Sequence, residues 1–210
     1  MADTVIILGA GASCHLGAPL MDEFLDKAEE IFHRYRGQVN QSAFERVLDL
    51  VYSNLEQLHA KSIVQLGNIE SIFGIVEMAR LINRLPGYTP EEIDTTANAV
   101  RTVLAETIEC SCLMPALNDG ELQPSRAYAD LIRRCYRNNQ QTLSASDIAF
   151  LTFKYDISLD HALFYHGIPI DYALANEQPK AIPLLKLHGS LNWAACSTSR
   201  VFPVDLSNII

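Results

Sequence analysis

The sequence lacks the features that would place it in a membrane, outside the cell or on nucleic acid. No apolar run approaches the roughly 18 residues that a membrane-spanning helix needs. The first apolar run, residues 5–8, is short and has no basic leader, so no secretory signal is expected. Positive charge is scarce: 16 Lys and Arg stand against 25 Asp and Glu, for a formal net charge of −9. That balance gives no basic footprint for direct nucleic-acid binding. The most basic stretch, Arg133-Arg134-Cys135-Tyr136-Arg137, reads as a solvated helix face. C-x-x-C pairs are absent, and the five cysteines, Cys14, Cys110, Cys112, Cys135 and Cys196, are odd in number and irregularly spaced. No zinc ribbon or other metal site is expected. Reduced, mostly buried thiols in a cytoplasmic protein are the simplest account. Repeats, low-complexity stretches and flexible linkers are missing too.

The chain does have the makings of a core. Of its 210 residues, 49% are hydrophobic and 20% charged, enough for one large domain or a domain with an inserted subdomain. Residues 4–8 form a β-rich run that ends at a glycine turn. From residue 18 the pattern turns helical, with Leu20, Phe24, Leu25, Ala28, Ile31 and Phe32 at three- and four-residue spacing. Further helices are expected over 42–60, 69–85 with Asn68 as N-cap, 89–114 with a Thr89/Glu92 capping box, and 125–138. Strand signals return only at 148–153 and 182–187, with a weaker one at 168–172. The expected architecture is α/β, a Rossmann-like parallel sheet with a large helical insertion, residues 37–145, after the first β-α unit. In such sheets ligands gather at the carboxyl ends of the strands. The polar clusters 9–13, 152–156 and 188–192 all follow strand runs and can converge on one edge.

Gly9 and Gly11 make the G-x-G of a dinucleotide turn, where a bare backbone can approach a phosphate. The third glycine of the usual fingerprint is replaced by Cys14, and a lone G-x-G also suits a ligand-free strand-helix turn. His188 directly follows a strand and suits a general base, or simply a carbonyl-bonded histidine. Asp156 and Asp160 are placed to cap a helix near residue 157. His161 and His166 read as surface or structural residues. Cys14 and His15 have no activating partner in the sequence, so no cysteine nucleophile is expected.

Together, Gly9-Ala10-Gly11-Ala12-Ser13 with Gly17-Ala18-Pro19, Leu151-Thr152-Phe153-Lys154-Tyr155-Asp156, and Leu187-His188-Gly189-Ser190-Leu191-Asn192-Trp193 resemble the sirtuin superfamily. More narrowly they are similar to the bacterial sirtuin-like NAD hydrolases of antiphage defence systems. The resemblance implies a single domain over 1–210. It implies that Gly9, Ala10, Gly11, Ala12 and Ser13 hold the NAD diphosphate and nearby ribose, with Pro19 near the nicotinamide pocket. Thr152, Gly189 and Ser190 would also border the NAD, Asp156 would orient the nicotinamide side, and His188 would be the general base. In deacylating relatives an acyl-lysine attacks the ribose carbon; in the defence relatives water does, giving nicotinamide and ADP-ribose. The paired zinc cysteines of the deacylases are absent here, which favours hydrolysis. The resemblance also implies control by homo-oligomerisation or by a partner such as a nucleic-acid motor or sensor.

The resemblance breaks at two points. The family pattern Thr-x-Asn-x-Asp places an Asn where this chain has Lys154. An amide both donates and accepts hydrogen bonds, whereas a protonated Lys only donates. A bare ammonium about 4 Å from the cationic nicotinamide ring would repel it by about 4 kcal/mol at an effective dielectric of about 20. Lys154 therefore implies a loss of activity or an altered chemistry, unless the amine lies neutral or turns away. The family sheet also continues past the His-Gly motif, where only residues 194–210 remain here. The chain is then either an incomplete sheet or the N-terminal part of a longer protein. Three functions follow: an NAD-hydrolysing effector, a non-catalytic NAD-binding or assembly module, and, more weakly, an NAD-dependent deacylase.

Overall fold

The computed structural model describes residues 2–55, 68–117, 120–139, 148–174, 180–196 and 200–206. The chain is a mixed α/β protein that divides into two compact units, one made of residues 1–17 and 112–210 and the other of residues 18–111.

The first unit is built on four parallel strands, β1 (Thr4–Leu8), β2 (Ile148–Thr152), β3 (Ile170–Asp171) and β4 (Ile182–Lys186), in the order β1-β2-β4-β3. Alternation along each strand decides what packs below. Ile6 pairs with Phe150 and Phe150 with Leu184, and this row faces two helices, Arg126–Asn139 and Ser158–Tyr165. Tyr128 and Ile132 from the former join Leu159, Ala162 and Leu163 from the latter and the strand residues Ile148, Phe150, Ile182 and Leu184 in one buried cluster. On the other face, Val5 and Ile7 of β1 stay 55% and 65% exposed. Two short antiparallel strands, β5 (Trp193–Ala195) and β6 (Val201–Pro203), form a separate hairpin.

The second unit is helical. In chain order the helices are α1 (Phe24–Arg34), α2 (Gln41–Asp49), α3 (Ile69–Ile82), α4 (Pro90–Ser111), α5 (Arg126–Asn139) and α6 (Ser158–Tyr165), of which the first four belong here. The long α4 is the centre, and α1, α2 and α3 each pack along it. Phe24, Phe44, Val47, Ile72, Val76, Ile93, Val100 and Val103 are buried in this unit. Local signals set its helix ends. The Asn68 side chain accepts from the Glu70 and Ser71 amides. Thr89 and Glu92 cap reciprocally, each side chain accepting from the other's amide, the geometry of a capping box.

Compared with the sequence expectation, the helical unit begins at residue 18 and stops at 111, instead of spanning 37–145. The reason is α5: its apolar residues Tyr128 and Ile132 pack in the core under the sheet of the first unit. Helix α2 continues as a π-helical segment, Leu50–Leu55; the expected stretch 56–60 lies outside the described residues, as do 140–145 of the expected insertion. The β5-β6 hairpin had no sequence signal. None of the cysteines, expected to be mostly buried, is fully buried: Cys14 and Cys196 are exposed and the other three half-buried. No described helix is long and apolar enough to cross a membrane.

The core row carries the sheet. Phe150 is fully buried, so Phe150→Ala is expected to lose about 3–5 kcal/mol of stability. Ile7→Ala, on the exposed face, is expected to lose about 1 kcal/mol or less. Denaturant unfolding of the two variants checks the contrast.

Candidate functional site

Three of the parallel strands end level. Leu8 pairs with Thr152 and Thr152 with Lys186, so the segments that follow leave from one edge. The ladder runs one step further, from the Phe153 amide to the Leu8 carbonyl and from the Leu187 amide to the Thr152 carbonyl. The Thr152 hydroxyl ties the strand ends together: it donates to the Leu8 carbonyl at 3.2 Å and accepts from the Lys154 amide at 3.1 Å.

After β1 the chain turns at Gly9, which is extended at φ −84° and ψ −179°, into a 3₁₀ helix, Ala10–Leu16. Neither Gly9 nor Gly11 has a positive φ, and a Cβ on either would meet nothing within 4 Å. Backbone strain and internal packing therefore do not require glycine here. Gly189 differs, because its φ of +95° is in the left-handed region and demands glycine by itself.

The centre of the edge is a buried ion pair. Lys154 Nζ lies 3.0 Å from Asp156 Oδ2 and donates to the Ala10 carbonyl at 2.9 Å. The two side chains belong to residues only 8% and 6% exposed. Asp156 Oδ1 accepts from the Ser158 amide at 3.0 Å and the Ser13 hydroxyl at 3.1 Å. Since Ser13 spends its proton on the carboxylate, the 2.8 Å contact with Tyr128 has the phenol donating to Ser13 Oγ. Burial pushes the Asp156 carboxyl up, but the charge of Lys154 and the hydrogen bonds from Ser158 and Lys154 outweigh it and hold the group below its ordinary value. Burial pushes the Tyr128 phenol far up, so it stays protonated.

A second buried pair lies beside the first. Lys186 Nζ is 3.0 Å from Asp160 Oδ2 and donates to the Asp156 carbonyl at 2.7 Å. Tyr172 donates to Asp160 Oδ1 at 2.6 Å, and Asn192 Nδ2 donates to the Tyr172 oxygen at 3.0 Å. Around the rim, the exposed His188 ring is 5.4 Å from the Phe153 ring and 5.7 Å from Tyr155. The Leu191 amide donates to the Tyr155 carbonyl at 2.9 Å, holding the 188–192 turn against the 153–155 segment.

The edge thus brings together Gly9, Ala10, Gly11, Ala12, Ser13, Thr152, Lys154, Asp156, His188, Gly189 and Ser190. Within that set Ser13 is fully buried, with its hydroxyl committed to Tyr128 and Asp156 and its carbonyl accepting from the Gly17 amide. Asp156 caps helix α6 as well as pairing with Lys154. Pro19 belongs to the helical unit. His161, expected at the surface or in a structural role, is 3% exposed, and burial pushes its imidazole down. Sequence reasoning missed Tyr128, Asp160 as an ion-pair partner, Lys186, Tyr172 and Asn192. One signal was available: Lys186 follows Ile182 and Leu184 at period two, on the inward face, where a lysine must be paired. Among the described residues no cluster of His, Cys, Asp and Glu is placed to hold a metal ion.

No family model and no curated protein matches this chain.

Removing one partner of a buried pair strands the other charge. Lys154→Met is expected to lose about 3–5 kcal/mol at neutral pH. In the unaltered chain the lowered Asp156 pKa contributes stability above pH about 4, lost as pH falls through the folded-state value. In the variant the charge and hydrogen bond of Lys154 are gone, burial is opposed only by the hydrogen bonds from Ser158 and Ser13, and the folded pKa rises from its lowered value. The penalty is then full at high pH and disappears below about pH 4. Urea unfolding in a pH series checks this, and a pH-independent loss would show that Asp156 is not the stranded group.

Proposed function

We propose that this chain is a Rossmann-like, sirtuin-type domain that hydrolyses NAD to nicotinamide and ADP-ribose, as effector of an antiphage defence complex. The observation that carries the reading is the pair of glycines, Gly9 and Gly11. They sit at the carboxyl edge of a parallel sheet, without positive φ and without a neighbour within 4 Å of a Cβ. That is a cradle a side chain would fill, and the NAD diphosphate would be held there by the amides of Gly9, Ala10 and Gly11, the Ala12 amide being bonded to the Gly9 carbonyl. His188, exposed on the same edge, is the group able to take a proton from water or a ribose hydroxyl. The aromatic rings of Phe153 and Tyr155 flank it. Lys154 does not face the nicotinamide as a bare cation, since Asp156 and the Ala10 carbonyl hold its ammonium. NAD hydrolysis drains a shared cofactor, so the reading includes restraint by homo-oligomerisation or by a partner such as a nucleic-acid motor or sensor.

The Lys154–Asp156 pair favours one second reading, a non-catalytic NAD-binding module. The two residues that would orient water and nicotinamide are engaged with each other, and neither offers the amide chemistry of an Asn.

Two measurements test the proposal. Gly9→Ala is expected to leave the melting temperature of the free protein unchanged and to weaken NAD binding at least about tenfold, equal to about 1.4 kcal/mol. Equal NAD affinity in the variant would remove the cradle from the argument. Nicotinamide release is expected from the chain in its native assembly, faster in Lys154→Asn and abolished in His188→Ala. A thermal shift with NAD but no nicotinamide from Lys154→Asn would establish the binding module and refute hydrolysis.

A further inference from the structure

Helix α3 is apolar on two sides. Ile69, Ile72, Val76 and Ala79 recur at three- and four-residue spacing and are buried, in the unit where α3 packs along α4. Met78, Leu81 and Ile82 share the opposite side at the same spacing, and they are 56%, 81% and 61% exposed. A surface helix ordinarily turns polar residues outward, and one that is apolar all round is ordinarily covered all round.

Charge does not interrupt the outer side. Arg80 donates to Glu77 and to Asp94, and Arg101 donates to the same Glu77, which draws these groups toward α4. Gly74, one turn before Met78, is exposed, has no positive φ, and would meet no neighbouring group within 4 Å of an added Cβ. A mid-helix glycine costs about 0.5–1 kcal/mol relative to alanine.

We propose that two copies of the chain meet on this face, α3 lying antiparallel on α3 of the second copy about a two-fold axis at Met78. The face fits itself in that arrangement. Met78 meets its own counterpart, and Gly74 stands level with Ile82 of the second copy, so bare backbone receives a branched side chain. The formal charges of Glu70, Glu77, Arg80 and Arg84 cancel, so the face escapes the repulsion that a net charge of −9 sets between copies. Antiparallel packing brings Glu70, at the start of the helix, toward Arg84 of the second copy, just past its end, and does so twice. A parallel arrangement would set like charges level. A contact confined to one helix from each copy belongs to the small interfaces, below about 1,200 Å². The dimer is therefore expected to dissociate on dilution, with a Kd on the order of 10 μM. It needs neither NAD nor the glycine turn.

Sedimentation of the full chain without NAD tests this. A dimer is expected at about 200 μM and a monomer at about 1 μM. Leu81→Lys changes a side chain already in solvent, so the fold is kept, and association is expected to weaken at least about tenfold. Crosslinking reads the geometry, in a chain whose exposed cysteines are removed by Cys14→Ser and Cys196→Ser. Met78→Cys is expected to give a disulfide-linked dimer on mild oxidation, because the axis brings its two Cα atoms within reach. Ile82→Cys, about 12 Å from its counterpart along the helix axis, is expected to give none. A monomer at both concentrations overturns the proposal. So do association untouched by Leu81→Lys, and a crosslink that forms through Ile82→Cys but not through Met78→Cys.

Discussion

The carboxyl edge of the sheet depends on two lysine–aspartate pairs buried side by side. Taking a charge out of water costs several kcal/mol even after relaxation, and a partner offsets this only when the remaining donors and acceptors are filled. Here they are. Lys154 serves Asp156 and the Ala10 carbonyl; Lys186 serves Asp160 and the Asp156 carbonyl. The second contact links the pairs, since one lysine bonds the backbone of the other pair's acid. Segments far apart in sequence, the first turn, the ends of β2 and β4, and the start of α6, are thereby fixed to one another within hydrogen-bond distance.

This constraint explains why the first turn is ordered without depending on its glycines. Ser13 reaches Asp156, Tyr128 reaches Ser13, and Lys154 holds Ala10. The turn's inner side is thus clamped by side chains, and its outer side carries bare backbone at Gly9 and Gly11. Preorganised backbone donors facing outward are what an anion needs, because little ordering is left to be done on binding.

The sequence made the local features readable where one short pattern decides the structure. Asn68 and the Thr89/Glu92 box set helix starts by themselves, and the apolar runs at β1, β2 and β4 mark strands, although β1 is left exposed on one face. The level ending of those strands was also within reach, since polar clusters directly follow each run. The partnerships were not. Nothing local tells that Tyr128, on a helix 115 residues from Ser13, donates to it, or that Lys186 meets Asp160 26 residues earlier. Those depend on register and on which helix covers which face. The insertion boundary was misjudged for the same reason: an amphipathic stripe such as that of α5 shows that a face is buried, not against what.

The position held by Lys154 can now be argued on its partners instead of its formal charge. A bare ammonium near a cationic ring repels it, by about 4 kcal/mol at about 4 Å and moderate dielectric. With a carboxylate 3.0 Å away, a more distant cation meets a dipole, and the repulsion largely cancels. What does not cancel is the missing acceptor. An Asn amide can take a proton from a water or ribose hydroxyl through its oxygen, whereas a lysine ammonium has no lone pair to offer. In the proposed hydrolysis the acceptor's work then falls on His188 alone, exposed at the rim and flanked by Phe153 and Tyr155. The substitution therefore bears on how water is held, and much less on whether NAD is tolerated. In the proposed function the glycine turn is the part that would bind, and the neighbouring strand end, locked in its own ion pair, contributes structure in place of chemistry.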